Sequence, residues 1–175
     1  MQIAEAVQDI GQSLAGKGYI VQYAVRSLGY SGLLYAQSAA PLKLGFAVVD
    51  DHFLFVDWER ALFSRRERLL EEYAVFRQQV NSAYRLPHAL RRHYPNLAMI
   101  AVSEQEFSAE MIEYVRWTYL KPWYGGETGQ VLLLDLANGR LHHHATPYFR
   151  QSGSLPLGQT VSTLRIAVRG ALAVN

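Results

Sequence analysis

The chain of 175 residues contains no cysteine. That absence excludes disulfides, thiolate metal sites and a cysteine nucleophile, and it fits a reducing compartment, so a cytoplasmic location is expected. Also absent is any apolar run long enough to span a bilayer, so no membrane role is expected. The N-terminal stretch MQIAEAVQDIGQSLAGKGY carries acids early and lacks a basic segment followed by an apolar one, so it does not read as a signal peptide. Gly125-Gly126 lacks the spacing and the lysine of a phosphate-binding loop. No nucleophile elbow, HExxH motif or kinase signature occurs. One further absence is local. Between Glu72 and Glu104 there is no acid, while Arg77, Arg85, His88, Arg91, Arg92 and His93 all fall in that gap. A basic patch there could face phosphates, although a solvated helix face would have the same composition.

What is present suits one ordinary domain, residues 1–175. Half of the residues are hydrophobic, 18% are charged and the net charge is +2, a balance that supports a packed core. Ile3, Ala6, Val7, Ile10 and Leu14 repeat at helical spacing. Strands are predicted over 19–26 and 30–37, with Gly29 and Gly32 marking the bend between them. A long helix is predicted over 59–83, broken by Pro87, with a short helix through Arg92. The run 97–102 reads as a strand buried on both faces. Residues 107–120 return to helical spacing and 121–129 read as a loop. Strands at 131–136 and 141–145 are joined by Asn138-Gly139, a hairpin signal. A linker over 151–158 precedes a last helix with Thr160 as its candidate cap. The expected class is α/β with some α+β character: a mixed central sheet flanked by helices, with a C-terminal hairpin and helix.

The segment LGFAVVDDHFLFVDWER, residues 44–60, carries the sharpest functional reading. With Asp51-His52 as a two-residue turn it forms a hairpin. Period-two alternation then puts Phe46, Val48, Asp50, Phe53, Phe55, Asp57 and Glu59 on one face.

This pattern, entered through LAGKGYIVQ, resembles the small nuclease-like proteins of the PD-(D/E)XK, restriction-endonuclease-like fold, which include Holliday-junction resolvases. The resemblance covers about residues 1–103 and implies a nuclease-like core with 104–175 as a C-terminal extension packed on it. It implies that an acid on each arm would hold a divalent cation, which lowers the pKa of the attacking water. It also implies a lysine two residues after the second acid to stabilise developing negative charge. Here the first acid falls on Val48 and the lysine on Glu59, while Asp57 keeps the second acid. The resemblance therefore implies a degenerate site without a cofactor. A rearranged site of Asp50, Asp57 and Glu59 holding Mg²⁺ is the catalytic alternative. Each acid also has a plain structural use: Asp50 and Asp51 in a turn, Glu59 in the first turn of a helix.

Other constellations are less specific. Across the Asn138-Gly139 turn, Asp135 would face His142 and share a side with His144, a carboxylate–imidazole set suited to zinc or iron. Solvent-exposed histidines on an edge hairpin are the simpler account. Arg85, His88, Arg91 and Arg92 are the candidate nucleic-acid contacts. Trp117, Tyr119, Trp123 and Tyr124 could stack bases, or pack in a core or interface. The expected function is thus a non-catalytic, nuclease-like domain that binds nucleic acid or a protein partner handling it. A metal-dependent nuclease, and a self-associating domain forming homo-oligomers, are the alternatives.

Overall fold

The structure, a computed structural model, describes residues 2–26, 32–44, 47–59, 66–85, 92–118, 120–121, 127–145 and 156–173. Four helices are described: α1 (Ile3–Ala15), α2 (Arg66–Ser82), α3 (Ala109–Thr118) and α4 (Pro156–Ala173). The strands are β1 (Tyr19–Tyr23), β2 (Gly32–Ser38), β3 (Leu42–Leu44), β4 (Ala47–Asp57), β5 (His93–Ser103), β6 (Leu120–Lys121), β7 (Thr128–Asp135) and β8 (Arg140–His142). They form one mixed sheet. Its order is β1-β2-β4-β5-β7-β6, with β3 also on β4 and β8 also on β7. The predicted α/β class, a mixed sheet flanked by helices, is what the chain adopts.

Strands β4, β5 and β7 are mutually parallel and form the middle of the sheet. Parallel strands are normally covered on both faces, and these are. From Pro95 onward β5 is buried, and so is every residue of β7. One face packs Phe53, Phe55, Ile100 and Leu132 against the apolar stripe of α1 and the Val161, Leu164 and Val168 side of α4. The other packs Leu54, Val56, Met99 and Leu133 against Leu69, Tyr73 and Phe76 of α2 and Met111 and Val115 of α3. Phe53, Phe55 and Phe76 are fully buried, and truncating any one to alanine costs about 3–5 kcal/mol. Elements after residue 103 share this core: β7 lies in the sheet beside β5, and α4 packs in the same core as α1.

The predicted hairpin at Asp51-His52 does not form. Residues 47–57 are one continuous strand, and the reversal lies earlier, where Leu44 pairs with Ala47. The two aspartates resembled a turn because isolated charges disfavour a strand. Here each finds a partner from a distant part of the chain, as described below. The C-terminal hairpin forms with a different register. Asp135 pairs with Arg140 and Leu133 with His142, leaving a four-residue turn over 136–139 instead of two. The Asp135 carboxylate accepts hydrogen bonds from the Asn138 backbone N–H (3.1 Å) and Nδ2 (2.8 Å), which closes the longer turn. Gly139 takes φ +62° there, a conformation that glycine adopts without strain. Thr160 is not a cap. Helix α4 begins at Pro156, so Thr160 lies inside it and is fully buried. Strand β7 also begins inside the predicted loop, at Thr128.

Candidate functional site

Adjacent residues of a strand point to opposite faces. Asp51, Phe53, Phe55 and Asp57 therefore share the α1/α4 face, and Asp50, His52, Leu54 and Val56 the α2/α3 face. Asp50 and Asp57 are consequently on opposite sides of the sheet, about 23 Å apart along the strand at its usual rise. The rearranged site of Asp50, Asp57 and Glu59 is not brought together.

Asp57 and Glu59 do lie together at the carboxyl end of β4, where they line an open depression with Gln2, Ile3, Leu33 and Glu104. Their carboxylates serve the backbone. Asp57 Oδ1 accepts from the Glu59 N–H (3.0 Å). Glu59 Oε1 accepts from Ser103 Oγ (3.0 Å) and from the N–H groups of Glu104 (2.8 Å) and Gln105 (3.2 Å), holding the turn that follows β5. Glu104 Oε1 accepts from the Ile3 N–H (2.8 Å), satisfying an open donor at the start of α1. Among the described residues no group of three or more His, Cys, Asp or Glu side chains is placed to hold a metal ion.

The histidine hairpin is likewise dispersed. His144 lies beyond the end of β8, and the Asp135 carboxylate is committed to Asn138. His143 Nε2 lies 3.2 Å from an Arg165 guanidinium nitrogen, which can only donate, so His143 Nδ1 donates to the His144 carbonyl (2.9 Å) as a neutral ring. Burial lowers the pKa of His142, His143 and His144, which favours uncharged rings. Of the aromatic set, Trp117 is exposed and its Nε1 donates to Glu113 (2.6 Å); Tyr119, Trp123 and Tyr124 lie outside the described residues.

Two polar clusters cross the middle of the sheet, one on each face. On the α1/α4 face Asp51, Asn96 and Thr128 stand in one row across three parallel strands. Asn96 Nδ2 donates to Asp51 Oδ1 (2.6 Å) and to Thr160 Oγ1, and Asn96 Oδ1 accepts from Thr128 Oγ1 (2.6 Å). Tyr19 OH donates to Asp51 Oδ2 (2.8 Å). Burial raises the Asp51 pKa, opposed by the hydrogen bonds from Asn96 and Tyr19. This cluster is a closed lock between the sheet and α4.

The cluster on the α2/α3 face reaches the surface. His52 is 4% exposed, and its burial pushes its pKa down to about 4, so the ring is neutral. Tyr84 OH lies 3.1 Å from Asp50 Oδ2 and 3.0 Å from His52 Nε2. A carboxylate can only accept, so Tyr84 donates to Asp50 and accepts from His52 Nε2–H. His52 Nδ1 is then the acceptor for Tyr35 OH at 2.7 Å. Gln37 Oε1, at 3.3 Å, is the weaker acceptor for the same hydroxyl. Burial, and then the charge of Asp50, push the Tyr35 pKa up to about 12. His93 Nδ1 lies 3.5 Å from Asp50 Oδ2 and faces solvent. A directed chain of hydrogen bonds thus runs from Tyr35 through His52 and Tyr84 to Asp50, and ends at an exposed imidazole.

Basic residues surround that exposed end. Lys43 pairs with Val48 and Val48 with His93, placing them in one row. The Val48 N–H donates to the Arg92 carbonyl (2.8 Å), which fixes Arg92 beside the start of β4. Arg85 follows Tyr84. Lys43, Arg85, Arg92 and His93 are all exposed. The arginines of α2 and α3 are paired with carboxylates: Arg66 with Glu67, Arg68 with Glu71, Arg77 with Glu127 and Arg116 with Glu113. Among the described residues no carboxylate pairs with Lys43, Arg85 or Arg92. Of the predicted nucleic-acid contacts, then, Arg85 and Arg92 flank the same end of the sheet, and His88 and Arg91 lie outside the described residues. Sequence reasoning placed His93 in the basic stretch but missed Lys43, Tyr35, His52 and Tyr84 as members of the site. The signal was the alternation of one long strand, hidden by reading Asp51-His52 as a turn.

No protein family, no curated protein and no solved structure matches this chain. No described helix is long and apolar enough to cross a membrane.

Proposed function

We propose that the chain binds nucleic acid, by itself or beside a protein that handles it, through the cationic end of β3, β4 and β5, without metal-dependent cleavage. One observation carries the reading: Lys43 and Arg92 lie beside the exposed His93 at the start of β4 and β5, Arg85 follows the tyrosine that reaches Asp50, and among the described residues none of these three cations has a carboxylate partner, whereas every described arginine of α2 and α3 does. Unpaired surface cations on one side of a domain attract polyphosphate, and such contacts give affinity without sequence selection. Asp50, two residues along β4 from that row, is engaged by Tyr84 and His93. The absence of cleavage follows from the carboxylates. Asp50 is separated from Asp57 by the sheet, and Asp57 and Glu59 are taken up by backbone amides. The degenerate restriction-endonuclease-like core belongs to this proposal as the origin of such a domain.

Binding of labelled single- and double-stranded oligonucleotides, measured by anisotropy against salt concentration, tests it. The expected result is sequence-independent binding that weakens steeply as salt rises. An absence of binding at low salt refutes it.

A further inference from the structure

Strand β1 is the terminal strand of the sheet. Its sequence, Tyr19-Ile20-Val21-Gln22-Tyr23, has no charge and no proline. Sheet edges are ordinarily guarded by charges, proline, bulges or a covering segment, because an open edge pairs with other strands. Here Ile20 is 57% exposed and Tyr23 51% exposed on that edge.

The free backbone groups can be assigned. In an antiparallel pair, alternate residues turn their N–H and C=O toward the partner. The Ala39 N–H donates to the Gly18 carbonyl (3.1 Å) and the Ala24 N–H to the Leu33 carbonyl (2.9 Å). The even-numbered positions of β1 therefore face β2. Tyr19, Val21 and Tyr23 turn their backbone groups outward.

We infer that β1 pairs antiparallel with β1 of a second copy of this chain, about a two-fold axis at Val21, joining the two sheets edge to edge. The strand is close to palindromic about that residue. In this register Tyr19 falls opposite Tyr23, Val21 opposite Val21, and Ile20 opposite Gln22. Every outward N–H and C=O of Tyr19, Val21 and Tyr23 on one copy meets its complement on the other. Sliding the register by one residue would set outward groups against inward ones, and sliding it by two would leave Tyr19 or Tyr23 opposite a residue outside the strand. The flanking charges agree: Lys17 falls opposite Val25 and Arg26 opposite Gly16, so no like charges meet. A two-fold contact of this kind is isologous and closes at the dimer. The pairing is independent of nucleic-acid binding, which uses another part of the sheet.

Sedimentation velocity of the whole chain over a wide concentration range tests the inference. A monomer–dimer equilibrium is expected. Val21→Pro removes an N–H that β2 does not use, and proline is tolerated at such edge positions, so the variant is expected to fold by circular dichroism and to dimerise more than about tenfold more weakly. The chain has no cysteine of its own, so register can be read separately. Ile20→Cys mixed with Gln22→Cys, both at exposed positions, is expected to form a disulfide-linked dimer on mild oxidation faster than either variant alone. A wild-type monomer at every concentration overturns the inference. So does a folded Val21→Pro variant that dimerises as tightly as wild type, or cross-linking of Ile20→Cys alone as fast as the mixture.

Discussion

Asp50 and Asp51 are neighbours in the chain but serve opposite faces of the sheet. Asp50 accepts from Tyr84 on the α2/α3 side, and Asp51 from Tyr19 and Asn96 on the α1/α4 side. This division turns an expected turn into the middle of a strand. It also removes Asp50 from any joint site with Asp57.

The acids at the far end of β4 are therefore expected to act as structural acceptors. Glu59→Ala removes the acceptor for Ser103 Oγ and two backbone amides and is expected to cost about 1–2 kcal/mol in urea unfolding, with Glu59→Gln costing less. Millimolar Mg²⁺ or Mn²⁺ is expected to leave the melting temperature of the wild type unchanged. A cation-dependent rise that Asp57→Ala abolishes would show a metal site after all.

His52 gives stability a specific pH dependence. Its folded pKa, about 4, is lower than the unfolded value near 6.5, so the unfolded chain binds the proton more readily. Its contribution is full above about 6.5 and is lost as pH falls toward 4, on the order of 3 kcal/mol across that window. His52→Gln is expected to lose this slope between pH 6.5 and 4. The raised pKa of Asp51 acts with the opposite sign but is common to both proteins, so the difference between their unfolding curves isolates His52.

Asn96 is the centre of the closed lock. Asn96→Ala removes the amide that joins Asp51, Thr128 and Thr160, three hydrogen bonds in the interior, and is expected to cost about 2–3 kcal/mol by denaturant titration, with Tyr19 still bonded to Asp51. A loss below about 1 kcal/mol would mean that water replaces the amide there.

Gly129 is required by a close approach. A Cβ at that position would lie 1.8 Å from the Tyr73 hydroxyl oxygen. Gly129→Ala is expected to destabilise by about 1–3 kcal/mol, and Tyr73→Phe in the same chain to recover part of that loss. Additive losses in the double variant would contradict the contact.

Elements built on their own periodicity were legible in the sequence. The α1 stripe is the clearest, and the apolar run of β5 is buried on both faces as expected. What was not legible depends on partners far along the chain. Asp51 is tolerated in a strand because of Asn96, and Thr160 sits inside a helix because Asn96 and the core receive it. Asp135 lengthens the hairpin turn through Asn138, a local contact that the Asn-Gly pair concealed. Of the candidate site, Arg85 and Arg92 could be named from the acid-free stretch. His93 fell in the same stretch, but Lys43 could not be grouped with them until the register across β3, β4 and β5 was known.

The central claim is that the cations at the start of β4 and β5 bind polyphosphate. The most direct measurement compares the salt dependence of oligonucleotide binding by the wild type with that of Lys43→Gln, Arg85→Gln and Arg92→Gln. Each exposed cation that meets a phosphate of duplex DNA contributes about 0.9 to the slope of log affinity against log salt. The account predicts that the triple substitution weakens binding to all sequences alike and flattens the slope by about two to three, with the fold intact. Unchanged affinity and an unchanged slope would contradict it.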